Sequence, residues 1–243
     1  MILHAAQARA SHQFSDSLQF FSEEIALPQR LISSRHLFYG LLSYGIDLSG
    51  TEKRKSGIST LRENLIVNAR LLTSDSEIVK DVKERKPDIV AIDAPLSMPR
   101  GRRSLDDRRG PHLRACDEEL LRMKIRFFPI TLGPMRSLTV RGMSLKNQLD
   151  SEGFEVIEVY PGAAQDMLGI PRKQVGLGCL MNGLSKLEIK EIPSGVTGDE
   201  LDAITAAYVG LLVLLGKAKG LGDPDEGLIY VPDVWESHKP HSR

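Results

Sequence analysis

Four acidic residues stand where the surrounding sequence gives no reason for a charge. Asp47 and Asp93 close the apolar runs LLSYGID and DIVAID, Glu158 lies inside EVIEVYP, and Asp202 sits one turn into the apolar stretch DELDAITAAYVGLLVLL. Burying an isolated carboxylate is expensive, so each needs a cation, a set of hydrogen bonds or a proton. A shared metal would satisfy them together. If the strands ending in Asp47 and Asp93 are parallel neighbours, their side chains meet at the carboxyl edge of the sheet, where open α/β sheets put their sites. Asp199 and Asp202, three apart, share one helical face. Such an all-oxygen cluster suits Mg2+ or Mn2+ rather than zinc. Two such ions about 3.5–4 Å apart would activate a water and stabilise the leaving oxygen of a phosphodiester.

All of these acids but Asp202, which points with the packing face of its helix, also have a plainer reading. Asp47 before Leu-Ser-Gly and Asp93 before Ala-Pro would cap their own turns. Glu158 would pair with an arginine from the 100–114 stretch, and Asp199 would complement the positive end of its helix.

The second chemical feature is basic. Between Arg100 and Arg126 nine lysines or arginines face five acids, in a chain that is otherwise balanced at 32 basic and 32 acidic residues. Arg100, Arg102, Arg103, Arg108 and Arg109 are the candidates to grip a nucleic-acid backbone through bidentate phosphate contacts. The alternative is a surface loop whose arginines pair with Asp106 and Asp107. No aromatic side chain is interleaved with these arginines, and Phe127 and Phe128 follow later beside prolines. Sequence-independent backbone contact is therefore expected rather than base stacking. His112, alone in this loop, reads as a surface residue.

The elements that must hold these residues follow from pattern. From Leu41 the chain reads as a strand to Asp47, then shorter strands near 57–61 and 65–72, together a three-stranded meander. Ser74 to Glu77 is a capping box that opens a helix stopped by Pro87. The run 88–95 is apolar on both faces until Asp93, as in a central strand covered on either side. Helices are expected near 115–124 and 143–152, then the strand around Glu158 and a helical addition near 163–190. A second capping box at Thr197 to Glu200 starts the last long helix, whose Ala203, Ala206, Ala207 and Gly210 form a small-residue face suited to close approach.

Composition sets the frame: 41% apolar and 26% charged residues over 243 positions describe an ordinary soluble globular chain. The longest apolar run, 14 residues from Ala203 to Gly216, is short of the roughly 20 that span a bilayer. The N-terminal stretch lacks the apolar core and cleavage signal of an exported chain. Cys116 and Cys179 form neither a disulfide framework nor a zinc spacing, so a reducing cytoplasm is expected. Residues 1–40 carry no chemical motif and read as an accessory extension. Residues 236–243 read as a polar tail.

GIDLSG (45–50), KSGIS (55–59), KPDIVAIDAPLSMP (86–99), RACDEELLR (114–122), GFEVIEVYPGAA (153–164) and GDELDAITAAY (198–208), in this order, resemble a family of predicted nucleases of the ribonuclease H fold, a domain of unknown function. The resemblance spans roughly 41 to 232. It implies an α/β mixed sheet of five main strands, three antiparallel then two parallel, with helices on both faces. Residues 41–235 would form this domain, with an arginine-rich insertion at about 96–142. It further implies metal-binding roles for Asp47, Asp93 and Asp202, with Glu158 as a motif residue of the family. The spacing of Asp199, Asp202 and Ala203 is similar to the last-helix motif of Holliday-junction resolvases on the same fold. The expected function is a Mg2+- or Mn2+-dependent nuclease acting on DNA or RNA. Two alternatives remain: phosphotransfer of the actin-like and sugar-kinase type, from the phosphate-loop-like DLSGT (47–51), and a non-catalytic nucleic-acid-binding module.

Overall fold

The computed structural model describes residues 40–107 and 109–234. The proposed extension before Gly40, Arg108 and the polar tail lie outside the described residues. Among the described residues, seven strands form one sheet in the order β3-β2-β1-β4-β5-β7-β6. Strands β1 (Leu42–Asp47), β2 (Ser56–Arg62) and β3 (Val67–Leu72) make the antiparallel meander. Strands β4 (Ile89–Asp93) and β5 (Val156–Val159) continue it in parallel on the other side of β1. Beyond the expected five, β6 (Ala218–Asp223) and β7 (Gly227–Pro232) form a hairpin, and β7 adds in parallel to β5. The turn residues Asp-Pro-Asp-Glu-Gly at 223–227 are a hairpin signal, but the glycines of β6 dilute its strand pattern.

Side-chain alternation divides the core in two. Tyr44, Ile46, Ile58, Val90, Ile92 and Val156 point to one face, where they meet helices α1 (Asp75–Arg85) and α3 (Gly133–Ser151). Ile89, Ala91, Ile157 and Val159 point to the other, beneath α4 (Pro161–Met167), α5 (Leu177–Lys186) and α6 (Gly198–Leu214). A third cluster joins Cys116 and Leu120 of α2 (Ala115–Arg122) to Leu221, Ile229 and Val231 of the hairpin. Burial pushes the Cys116 thiol up to about 12, so it behaves as a small apolar residue.

Both capping boxes form as expected, at Ser74 and Thr197. Helix α3 starts ten residues earlier than 143. Gly133-Pro134 looks like a loop in sequence, but proline in the first turn of a helix loses no hydrogen bond. Helix α6 is buried around most of its circumference, because α4 and α5 cover the side that does not face the sheet. No helix among the described residues is long and apolar enough to cross a membrane.

Candidate metal centre

Strand register brings the first two acids together. β1 and β4 pair in parallel with Asp47 directly opposite Asp93, and both side chains lie on the α6 face, with the parity of Ile89 and Ala91. The third acid arrives on α6, and glycines decide how closely. A Cβ at Gly45 would overlap the carbonyl of Ala203, one at Gly57 would overlap that of Asp199, and one at Gly210 would strike the hydroxyl of Ser43. With hydrogen at these three positions, the helix backbone rests on β1 and β2 with almost no side chain between them. Asp202 is thereby lowered to the level of Asp47 and Asp93. Carboxylate oxygens of the three lie within 4.8 Å of one another.

The turn after Asp47 is pinned from the opposite side of the sheet. Buried Arg141 of α3 donates from Nη1 to the Ser49 carbonyl at 2.7 Å, from Nη2 to the Thr73 carbonyl at 3.0 Å and from Nε to Asp75 at 2.9 Å. Asp202 is held from its own side. Gln165 of α4 donates to Asp202 Oδ1 at 2.8 Å.

Three carboxylates in so small a space are electrostatically uncomfortable. Burial, reinforced by repulsion from Asp202 and Asp199, pushes the Asp47 carboxyl up to about 7 despite the opposing pull of Lys173. Asp93 is raised well above the ordinary carboxylate range by burial, then by Asp47 and Asp202. A cation already answers part of this charge. The Lys173 ammonium, from the loop between α4 and α5, lies 2.7 Å from Asp202, 3.3 Å from Asp199 and 3.4 Å from Asp47. Burial alone would depress the lysine, but these aspartates hold it above its usual value. An all-carboxylate donor set around a position that attracts an ammonium fits a hard divalent cation.

Other expected residues fall elsewhere. Asp199 is half exposed, faces Lys173, and stands outside the group of three. Glu158 does not join the cluster. It is in register with Ile92, so it points to the opposite face from Asp93. There its carboxylate is clasped by buried Arg114, Nη1 to Oε2 at 2.7 Å and Nη2 to Oε1 at 2.8 Å, and it also accepts from the Leu96 amide at 2.7 Å. Asp117 completes the pairing of Arg114, with Nη2 to Oδ1 at 3.0 Å. The plainer reading of Glu158, a partner for an arginine, is the one its contacts follow.

The arginine-rich loop is also divided. Arg102 is buried and departs from the phosphate-gripping expectation, because its two terminal nitrogens serve the carbonyls of Gly110, Pro111, Leu105 and Asp107. A loop without secondary structure must satisfy its carbonyls somehow, and one guanidinium satisfies four. Arg100 is exposed and ion-paired to Asp223 at 3.0 Å. Arg103 and Arg109 are exposed.

A meander followed by two parallel strands, with two acids at the ends of the central pair, is the architecture the sequence predicted. The fold is ribonuclease H-like. Among solved structures the chain is similar to Thermus thermophilus RuvC in complex with Holliday junction substrate, with 13% identity and a TM-score of 0.44, over 72% of this chain and 97% of that one. It is also similar to a second structure of Thermus thermophilus RuvC, with 14% identity and a TM-score of 0.41, over the same shares. No family model and no curated protein sequence matches the chain.

Lys173 and Gln165, which touch the acids, escape a reading of the sequence. Lys173 follows Pro171 in an unpatterned loop, and nothing local signals that the loop folds over the sheet edge. Gln165 sits four residues beyond the end of the strand motif, in a helix too short to show a period.

Proposed function

We propose that this chain is a nuclease that hydrolyses phosphodiester bonds of DNA or RNA with a divalent cation. The observation that carries the reading is the in-register pair of Asp47 and Asp93 with Asp202 above them, three carboxylates converging within 4.8 Å. Asp47, Asp93 and Asp202 would hold Mg2+ or Mn2+, with Asp199 at the rim. When bound, such a cation supplies positive charge to a phosphate and acidity to a coordinated water. The chain's own residues do the rest. Gln165 fixes one oxygen of Asp202, Arg141 fixes the turn that aims Asp47, and Arg103, Arg109 and the neighbouring Arg108 offer positive charge to a backbone. The Arg114–Glu158 pair acts by holding the sheet edge beside Asp93 in place, a positioning role rather than a ligand role.

The reading extends to membership of the predicted-nuclease family, with residues 41–235 as one domain acting in the cytoplasm. The phosphotransfer alternative gains no support from the Asp47-Leu-Ser-Gly turn. The Ser49 hydroxyl is occupied within the turn, 2.9 Å from both the Thr51 and the Arg54 carbonyl, one of which takes its single proton.

The test is a cleavage assay with Mg2+ and then Mn2+ on single-stranded, duplex, hybrid and branched DNA and RNA, beside an Asp93→Asn control. Metal-dependent cutting that disappears in the control is the expected result. Cutting that persists in Asp93→Asn, or no cutting of any substrate, would overturn the reading.

A further inference from the structure

A cavity of about 190 Å3 is lined in part by Asp47 and Asp93. Phe127, Phe128, Ile130, Met135, Leu138 and Tyr160 give it an apolar and aromatic lining, into which the charged Arg114, Asp117 and Glu158 are set. Phe128 is 69% exposed, the most exposed large apolar side chain among the described residues together with Val175. An aromatic ring that lines a cavity and is left in water is a stacking surface without a partner.

The polar groups of the wall are already engaged. Arg114 is spent on Glu158 and Asp117, and the Tyr160 hydroxyl donates to the Arg126 carbonyl at 2.6 Å. The slot therefore selects for a flat apolar surface and not for a donor–acceptor pattern. Its volume is below the range of 300–1,000 Å3 typical of pockets for drug-sized ligands, so it has room for one ring system and not for a base pair.

Building on the nuclease reading, we propose that this cavity receives a single unpaired nucleobase of the substrate strand, stacked on Phe127 and Phe128, with an adjacent phosphate at Asp47 and Asp93. A base in a duplex is already stacked and paired, so the strand must be single or the nucleotide swung out. Stacking is tolerant of base identity, which agrees with a wall whose hydrogen-bonding groups are satisfied. The expectation of pure backbone contact changes accordingly. Phe127 and Phe128 are distant from the arginines in sequence, but the fold sets them beside the carboxylates.

The test reads binding rather than cleavage, so it does not depend on the nuclease reading. Fluorescence anisotropy in EDTA compares a labelled short oligothymidylate with an abasic strand of the same length and charge. The full chain is expected to bind the intact strand about 5- to 150-fold more tightly. Phe128→Ala should remove most of that difference and leave the abasic affinity unchanged. Truncating so exposed a side chain disturbs little packing. Equal affinity for the two strands, no binding of either, or a preference untouched by both Phe128→Ala and Phe127→Ala would overturn the assignment. Displacement of the oligonucleotide by equimolar thymidine monophosphate would overturn the strand assignment and give the cavity to a free nucleotide. Metal-dependent cleavage together with equal binding of the intact and abasic strands would sink the cavity proposal alone, whereas tighter binding of the intact strand without cleavage would sink the nuclease reading alone.

Discussion

Asp47→Asn should make the metal-free protein more stable at pH 8, the opposite of what most substitutions at buried positions do. The Asp47 carboxyl moves from an ordinary 3.8 to about 7 on folding, chiefly through burial. Between those values the folded chain holds a proton that the unfolded chain has released. The stability linked to it is complete below pH about 4 and is lost as the pH rises to about 7. Roughly three pH units at 1.36 kcal/mol each make the loss about 4 kcal/mol. An asparagine has no proton to lose and escapes the penalty, although its amide still bears part of the desolvation cost. For a chain of this size 1 kcal/mol corresponds to about 2–4 °C in Tm. Taking half the penalty as recovered, Asp47→Asn should melt about 4–8 °C above the wild type at pH 8 and at the same temperature near pH 4. Calorimetric or circular-dichroism melts across that range, with EDTA present, make the measurement. Adding Mn2+ at 100 times its Kd should stabilise the wild type by about 2.7 kcal/mol and the variant by much less. A variant that melts at or below the wild type at pH 8, or a difference independent of pH, would refute the reasoning.

Lys173→Met removes the ammonium that sits among Asp47, Asp199 and Asp202. A unit charge at such distances is worth several kcal/mol at intermediate dielectric, so calorimetry should find Mn2+ bound at least about tenfold more tightly than by the wild type. Arg114→Met leaves Glu158 and Asp117 buried without their cation and should cost about 3–5 kcal/mol in urea unfolding, with Glu158→Gln on the same chain restoring part of the loss.

Much of the site was legible because it depends on periods. Apolar runs ending in Asp47 and Asp93 marked strands, the two capping boxes marked helix starts, and small residues on α6 marked the close approach that brings Asp202 down. The parity of Glu158 was not legible. Whether a residue within a short apolar run faces one side of the sheet or the other depends on register, which is set by pairing across 60 residues of intervening chain. Buried Arg102 was invisible for a related reason. An arginine that satisfies the carbonyls of its own loop has the same local sequence as one that reaches into solvent. Lys173 and the Phe127–Phe128 wall come from loops, where no periodic signal exists and position is fixed only by what the loop packs against.

The outer hairpin bears on the order in which a growing chain can finish this site. β5 lies between β4 and β7, so its second neighbour emerges some 70 residues after it. Glu226, in the hairpin turn, accepts from the amides of Arg100 and Ala115, closing the arginine-rich loop only once that turn exists. Asp202 itself follows Asp93 by more than a hundred positions. At 5–20 residues per second, on the order of ten seconds of synthesis separate the two. Until α6 is made, β5 lacks its β7 neighbour and Asp47 and Asp93 have neither the helix that buries them nor the third carboxylate that repels them. The charge strain of the site is therefore created last, by the same helix that completes it.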